Sequence, residues 1–107
     1  MHYDMDDIRR ANRRAGFHWF DRDTMRCFGT RLSRTVYNGP GGVFFVTSEQ
    51  PPYGRREYTV RVFSPATGSV RTVGRTVGMY RAAAAARRVA IRCAADKCAA
   101  DLIDARG

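Results

Sequence analysis

The segment Tyr-Thr-Val-Arg-Val-Phe at residues 58–63 alternates strictly between two sets of side chains. Because successive side chains of a β-strand point to opposite faces of a sheet, Tyr58, Val60 and Val62 fall on one face. We expect this face to lie against a hydrophobic core, since none of its members is charged. The opposite face carries Thr59, Arg61 and Phe63.

Turn sequences on both sides of this segment place it within an antiparallel sheet. Residues 50–54 and 64–68 contain proline and glycine at positions that favour turns. Three further segments have strand patterns. Residues 31–37 alternate in polarity, residues 43–47 are rich in valine and phenylalanine, and residues 70–73 form a short segment with valine at each end. The glycine-rich stretch at residues 38–42 favours a hairpin turn. The sequence therefore predicts a three- to four-stranded antiparallel meander over residues 31–75.

Helical patterns flank the predicted sheet. Asp4 can cap a short amphipathic helix over residues 4–15, and Gly16 can end it. Residues 17–28 bring four aromatic side chains together and are expected to form core. The second helix is predicted over residues 79–105, where an Ala-rich composition lets it lie close to one face of the sheet. Its expected contact stripe is Tyr80, Ala84, Ile91, Ala95, Cys98 and Leu102.

Together these patterns predict an α+β fold, in a single domain of residues 1–107. A second helix packed in the predicted register implies that Ile91 is buried. The substitution Ile91→Ala is then expected to lower the free energy of unfolding by about 2–5 kcal/mol.

Positive charge is concentrated in the central part of the chain. Residues 24–92 contain 12 arginines against Glu49 and Glu57, a local net charge of +10 in a chain whose total is +9. Lys97 is the only lysine. Guanidinium groups suit bidentate contact with phosphate or carboxylate, so the composition indicates an anionic partner. A nucleic acid, a nucleoprotein and an acidic protein face all fit this charge.

The predicted sheet face opposite the core and the loops at its edge supply most of the candidate binding residues. Arginines there can hold phosphates or read guanine, and an aromatic side chain among them can stack. We expect that replacing Arg61 and Arg71 with alanine weakens partner binding and leaves folding intact. The candidate binding residues are Arg55, Arg56, Arg61, Phe63, Arg71, Arg75, Arg81, Arg88 and Arg92.

A second basic patch lies on the predicted first helix, at the spacing of helical neighbours. It consists of Arg9, Arg10, Arg13 and Arg14. Like charges at this spacing repel one another, so the patch favours a counter-anion. A solvated helix face is the alternative interpretation.

Other functional classes have little support in the sequence. The three cysteines show no metal-ligand spacing and no disulfide framework, and they fit a reducing compartment. We expect no metal, no cofactor, no catalytic residue, no membrane span and no signal peptide. An enzyme using Cys27 or His18 remains the third alternative, for which single alanine variants would abolish activity without unfolding the protein.

The strand order and the helix that follows it resemble known nucleic-acid-binding folds. YTVRVFSPATGSVRTVG followed by RAAAAARRVAIRCA resembles the three-stranded DNA-binding sheets of plant ethylene-response factors and of integrase amino-terminal domains. It is also similar to the double-stranded-RNA-binding domain, although Gly78, Met79 and Tyr80 replace the lysine-rich start of that family's last helix. These resemblances imply a sheet that enters the major groove, or a helix that contacts RNA.

A closer resemblance covers nearly the whole chain. The motifs HWFDRDTMRCFGTR, YNGPGGVFFVTSEQ and REYTVRVFSPATGSVRTVG resemble a family of small uncharacterised proteins of bacteriophages and plasmids. This resemblance implies an accessory protein of a mobile element and assigns no catalytic residue. Small phage proteins often bind and block a host machine, as anti-CRISPR proteins do.

These observations leave two binding functions open. The first is a non-enzymatic inhibitor that docks its arginine-rich face on a host defence nucleoprotein in the bacterial cytoplasm. The second is a DNA- or RNA-binding phage regulator that uses the sheet face or the carboxyl-terminal helix. The sequence leaves open the choice among DNA, RNA and protein, the oligomeric state and the basic face that is used.

Overall fold

The computed structural model describes residues 2–27, 29–73 and 79–96 and confirms the α+β fold. An amino-terminal helix precedes an antiparallel sheet, and an Ala-rich helix packs on that sheet. In chain order the elements are α1 (Met5–Arg14), α2 (Arg22–Cys27), β1 (Arg31–Gly39), β2 (Gly42–Glu49), β3 (Glu57–Phe63), β4 (Val70–Thr72), β5 (Met79–Tyr80) and α3 (Ala83–Ala95). Among the described residues, no helix is long and apolar enough to cross a membrane.

The sheet is the predicted meander with one short addition. Strands β1, β2, β3 and β4 are neighbours in sequence order, and each pair is antiparallel. In the central pair, Val46 lies opposite Val60. The addition is β5, which pairs with β3 through Tyr58 and Tyr80.

Two cores form because β2 and β3 carry apolar residues on both faces. On one face, Phe44, Val46 and Val60 pack against α3. On the opposite face, Phe45 and Phe63 pack with Ile8 of α1 and with Phe20, so that these four side chains are at most 6% exposed. The predicted core set, Tyr58, Val60 and Val62, lies on the α3 face as expected.

Helix α1 begins as the sequence predicts. The Asp4 carboxylate accepts a hydrogen bond from the Asp7 amide at 2.8 Å, and the Asp7 carboxylate accepts one from the Asp4 amide at 3.0 Å. This capping box satisfies amides that the helix leaves without partners. Gly16 follows the helix with a φ of +88°, the left-handed conformation that favours glycine. Asn12 ties α1 to the β3–β4 turn by donating to the Gly68 carbonyl at 2.9 Å.

The predicted register of the Ala-rich helix is wrong. Met79 and Tyr80 belong to strand β5, so α3 begins at Ala83. Ile91 is 51% exposed, which removes the basis for a large effect of Ile91→Ala. Buried on α3 are instead Ala86, Ala90, Cys93 and Ala94. The prediction placed Tyr80 on the helix, so the buried side was assigned to the wrong helical positions. It also assigned the contact to larger apolar residues such as Ile91, whereas alanines make most of it. The predicted residues Cys98 and Leu102, and the predicted end at residue 105, lie outside the described residues.

Small residues bring α3 into close contact with the β1–β2 hairpin. The Gly41 amide donates to the Ala94 carbonyl at 2.9 Å. A Cβ atom would lie 2.1 Å from the Ala94 carbonyl oxygen if placed on Gly39, and 2.0 Å from the Cys93 carbonyl oxygen if placed on Gly41. The hairpin glycines are therefore required by this approach.

The two helix registers can be tested with the same substitution at two positions. Ile8 is fully buried, so Ile8→Ala should lower the free energy of unfolding by about 2–5 kcal/mol through lost burial and the cavity left behind. Ile91→Ala is the matched control and should change it by about 0.5 kcal/mol or less. Urea denaturation of both variants measures the two values. A large loss at Ile91 would contradict the observed packing face of α3.

Candidate anion-binding surface

The sheet face that the sequence analysis expected to be open is covered. Phe63 is 2% exposed and packs with Ile8 in the core beneath α1. Its ring meets the Tyr3 ring edge-on, with 5.5 Å between the ring centroids. With α1 on one face and α3 on the other, the central strands cannot enter a nucleic-acid groove as the resembling DNA-binding sheets do.

Arg61 lies within this covered face and is held by neighbouring strands. Its side chain is 15% exposed, and Nη2 forms an ion pair with Glu49 at 2.7 Å. Its Nε donates to Thr47 Oγ1 at 3.1 Å, and a further guanidinium nitrogen donates to the Thr72 hydroxyl. The guanidinium also stacks over the Trp19 ring, with Cζ 5.0 Å from the centroid. Its hydrogen-bonding capacity is thus directed into the protein.

Glu49 is the centre of the same network. Besides Arg61, its carboxylate accepts hydrogen bonds from the Thr47 and Thr59 hydroxyls, each at 2.9 Å. A part-buried carboxylate needs such partners, because desolvation without them is costly. The network joins β2, β3 and β4, so we interpret Arg61 as a structural residue.

The two arginines of the β2–β3 loop have different environments: Arg56 anchors the loop and Arg55 is exposed. Arg56 Nη1 donates to the Gly29 carbonyl at 2.9 Å and to the Ser48 hydroxyl at 3.0 Å, which fixes the loop to the body of the protein. Arg55 is exposed, and Tyr53 at the loop tip is 91% exposed. The sequence analysis read Tyr53 only as part of a turn. The two prolines before Tyr53 could have indicated an exposed aromatic side chain at this turn.

Helix α3 presents a continuous basic surface to solvent. Arg88 and Arg92 are exposed on it, Arg81 is exposed just before it, and α3 itself contains no acidic residue. Arg87 is exposed as well and was missing from the expected set, although its place beside Arg88 could have indicated it. We call Arg81, Arg87, Arg88 and Arg92, together with the half-exposed Ile91, the α3 arginine face.

Within the part of the chain that the structure describes, ion pairs join Asp7 to Arg10 and Glu49 to Arg61, and His18 contacts Asp21. None of these contacts involves the α3 arginine face. Asp96 follows α3, one turn after Arg92. A group of exposed guanidinium ions on one helix is the arrangement expected of a surface that receives an anion.

The second basic patch lies across the sheet from α3 and is partly neutralised. Its members Arg9, Arg10, Arg13 and Arg14 are all exposed on α1. Arg10 forms an ion pair with Asp7 at 2.8 Å. The hydrogen bond from the Asp4 amide, with help from Arg10, lowers the pKa of Asp7, so this carboxylate stays charged beside the patch.

A groove opens beside α3 at the end of the sheet near the β2–β3 loop. It has a volume of about 210 Å³ and is lined by Arg31 and Ser33 of β1, Ser48 of β2, Tyr58 of β3, and Ala83 and Arg87 of α3. We call it the basic groove. Arg87 belongs both to this groove and to the α3 arginine face, so the two form one basic surface.

Residues 4–91 match the sequence profile of a family of unknown function, DUF7447. The chain belongs to this family. The matched range contains α1, the whole sheet, and α3 as far as Ile91. It therefore includes the basic groove and every arginine of the α3 face except Arg92. No curated protein and no solved structure matches the chain.

The remaining candidate residues of this DUF7447 chain do not converge. Arg71 is exposed on β4, and Arg75 lies outside the described residues. His18 Nδ1 is 2.9 Å from Asp21 Oδ2, and Cys27 is exposed. Among the described residues, no group of three or more histidine, cysteine or acidic side chains is placed to hold a metal. Burial raises the pKa of the Cys93 thiol, which keeps it protonated at neutral pH.

The structural role of Arg61 can be separated from that of Arg71 by their effects on stability. Arg61→Ala should lower the free energy of unfolding by roughly 1–3 kcal/mol, because it leaves the part-buried Glu49 carboxylate without its cation. Arg71→Ala removes the same charge from an exposed position and should change it by about 0.5 kcal/mol or less. Urea denaturation at neutral pH compares them. Equal, small effects would show that the Glu49 network does not support the fold.

Proposed function

We propose that this chain is a non-enzymatic binding protein of a phage or other mobile element. It docks the α3 arginine face on an anionic surface of a host defence nucleoprotein in the bacterial cytoplasm and inhibits that complex, as anti-CRISPR proteins do. The observation that supports the docking part is the set of exposed arginines on and just before α3, a helix without an acidic residue. The inhibitory role is supported by the resemblance of the chain to small phage and plasmid proteins.

The chemistry of the α3 face suits a partner with phosphate or carboxylate groups. Each guanidinium offers a planar fork of donors, and it sheds its weakly held water more readily than an ammonium group does. The half-exposed Ile91 lies among the arginines and adds apolar contact area. Interface cores that combine an arginine with an apolar anchor are typical of binding hot spots.

A direct DNA- or RNA-binding regulator is the second candidate. The observation that favours it is the exposure of basic side chains along a helix, since a helix fits the major groove of duplex DNA. The sheet face is covered by α1, so this candidate also depends on α3. Both candidates predict the same docking face and differ in the partner.

Two triple variants with the same loss of charge test the docking face. Arg81, Arg88 and Arg92 are replaced by alanine in one, and Arg9, Arg13 and Arg14 of α1 in the other; all six residues are exposed. Each tagged variant and the parent chain are used to capture partners from a phage-susceptible bacterial lysate, with and without nuclease treatment. We expect the α3 variant to lose at least about tenfold in retained partner, and the α1 variant to retain it.

The outcomes separate the candidates. A defined protein complex that survives nuclease and depends on the α3 face supports the inhibitor. Retention that nuclease abolishes, with binding to duplex DNA that weakens steeply as salt rises, assigns the chain to direct nucleic-acid binding. Equal losses in the two triple variants would show that net charge alone drives binding, and would contradict the docking face.

A further inference from the structure

The basic groove contains more hydrogen-bond donors than the fold itself uses. Arg31 and Arg87 both line it, and each carries a guanidinium group. The Ser33 hydroxyl accepts a hydrogen bond from the Thr35 amide at 3.2 Å, and the Ser48 hydroxyl accepts one from Arg56 at 3.0 Å. Because a hydroxyl carries one proton of its own, each of these serines can still donate.

The start of α3 adds to this donor set. Ala83, the first residue of the helix, lines the groove. The preceding residue, Ala82, makes no side-chain capping hydrogen bond within the described part of the chain. The first amides of an α-helix have no acceptor within the helix, and this end of the helix dipole favours negative charge.

Among the described residues that line the groove, none is acidic. Glu49 lies in the adjacent strand position to Ser48, but its carboxylate is held by Arg61 in the network with Thr47 and Thr59. The groove is thus a cationic, donor-rich cleft with apolar walls from Leu32 and Val46.

We propose that the basic groove binds a phosphate monoester at the end of a nucleic-acid strand. A monoester carries about two negative charges near neutral pH and three terminal oxygens, so it can accept from both guanidinium groups and from a hydroxyl together. A backbone diester carries one charge and offers fewer acceptors. The volume of about 210 Å³ holds one terminal group of a larger ligand, since whole-ligand pockets start at about 300 Å³.

This inference deepens the proposed function and rests on it only for the choice of nucleic acid as the bearer of the phosphate. A chain that docks on a nucleoprotein would meet strand ends at the partner surface. Arg87 joins the groove to the α3 arginine face. The groove would fix one strand end while the rest of the face contacts the surrounding complex.

Two matched ligands test the proposal. Binding of the full chain to a short oligothymidylate with a terminal phosphate monoester is compared with binding to the same strand with a terminal hydroxyl, by fluorescence anisotropy at physiological salt. We expect the phosphorylated strand to bind at least about tenfold more tightly, as one charge-assisted contact supplies. Equal affinity for the two strands would overturn the proposal.

A neighbouring arginine supplies the control variant. Arg87→Ala and Arg31→Ala should remove the preference for the phosphorylated strand. Arg34→Ala takes the same charge from an exposed residue of β1 outside the groove lining and should keep it. A loss of preference that is equal in all variants would show a general effect of charge and would contradict the groove as the site.

A free nucleotide distinguishes the source of the phosphate. Adenosine monophosphate presents the same monoester without a strand. Weak competition supports the strand end as the ligand, whereas binding as tight as that of the oligonucleotide overturns that assignment. The triple variants of the capture experiment leave Arg31 and Arg87 in place. The two experiments can therefore contradict the phosphate site without contradicting docking through α3, or contradict docking without contradicting the phosphate site.

Discussion

The close contact between α3 and the sheet is the constraint on which the rest of the structure depends. Alanines at positions 86, 90 and 94 and the hairpin glycines Gly39 and Gly41 bring backbone to backbone, with a hydrogen bond from Gly41 to Ala94. Larger side chains at these positions would raise the helix from the sheet and open the core around Phe44 and Val60. Because the contact side is made mainly of small residues, the arginines of α3 lie outside it. The small residues thus occupy the side of α3 that packs on the sheet, and the arginines occupy the side that faces solvent.

The sheet in this protein is a scaffold and is covered on both faces. Its apolar residues alternate between a core under α3 and a core under α1, and the Glu49–Arg61 network joins polar residues of β2, β3 and β4. Arg61, a basic residue of β3, therefore stabilises the sheet through its ion pair with Glu49. The side chains that remain accessible to a partner lie on the outer side of α3, in the groove at its start, and in the β2–β3 loop with Tyr53. This division explains how a chain with so many arginines keeps a folded interior while presenting an exposed, positively charged surface.

Sequence patterns predicted the fold well where local chemistry determines it. The alternation through Tyr58, Val60 and Val62 gave the correct core face, and Asp4 and Gly16 marked the ends of α1. The register of α3 could not be obtained in the same way, because alanine is compatible with both a buried and an exposed helix face. The role of Arg61 depended on its cross-strand neighbours and on the covering segment with Trp19, which no local pattern reveals. Among the site residues, exposure was predictable for Arg88 and Arg92, whereas the groove required three strands and a helix to be placed together.

The central claim is that the partner meets the side of the molecule formed by α3 and the start of β1. Nuclear magnetic resonance of the labelled chain tests it most directly, because amide shifts report each element separately. A short phosphorylated oligonucleotide is titrated into the protein, and the shift changes are mapped on the fold. The account predicts changes at Arg31, Ala83, Arg87 and Arg88, with α1 unaffected. Changes confined to Arg9, Arg13 and Arg14 of α1, or spread evenly over all basic residues, would contradict it.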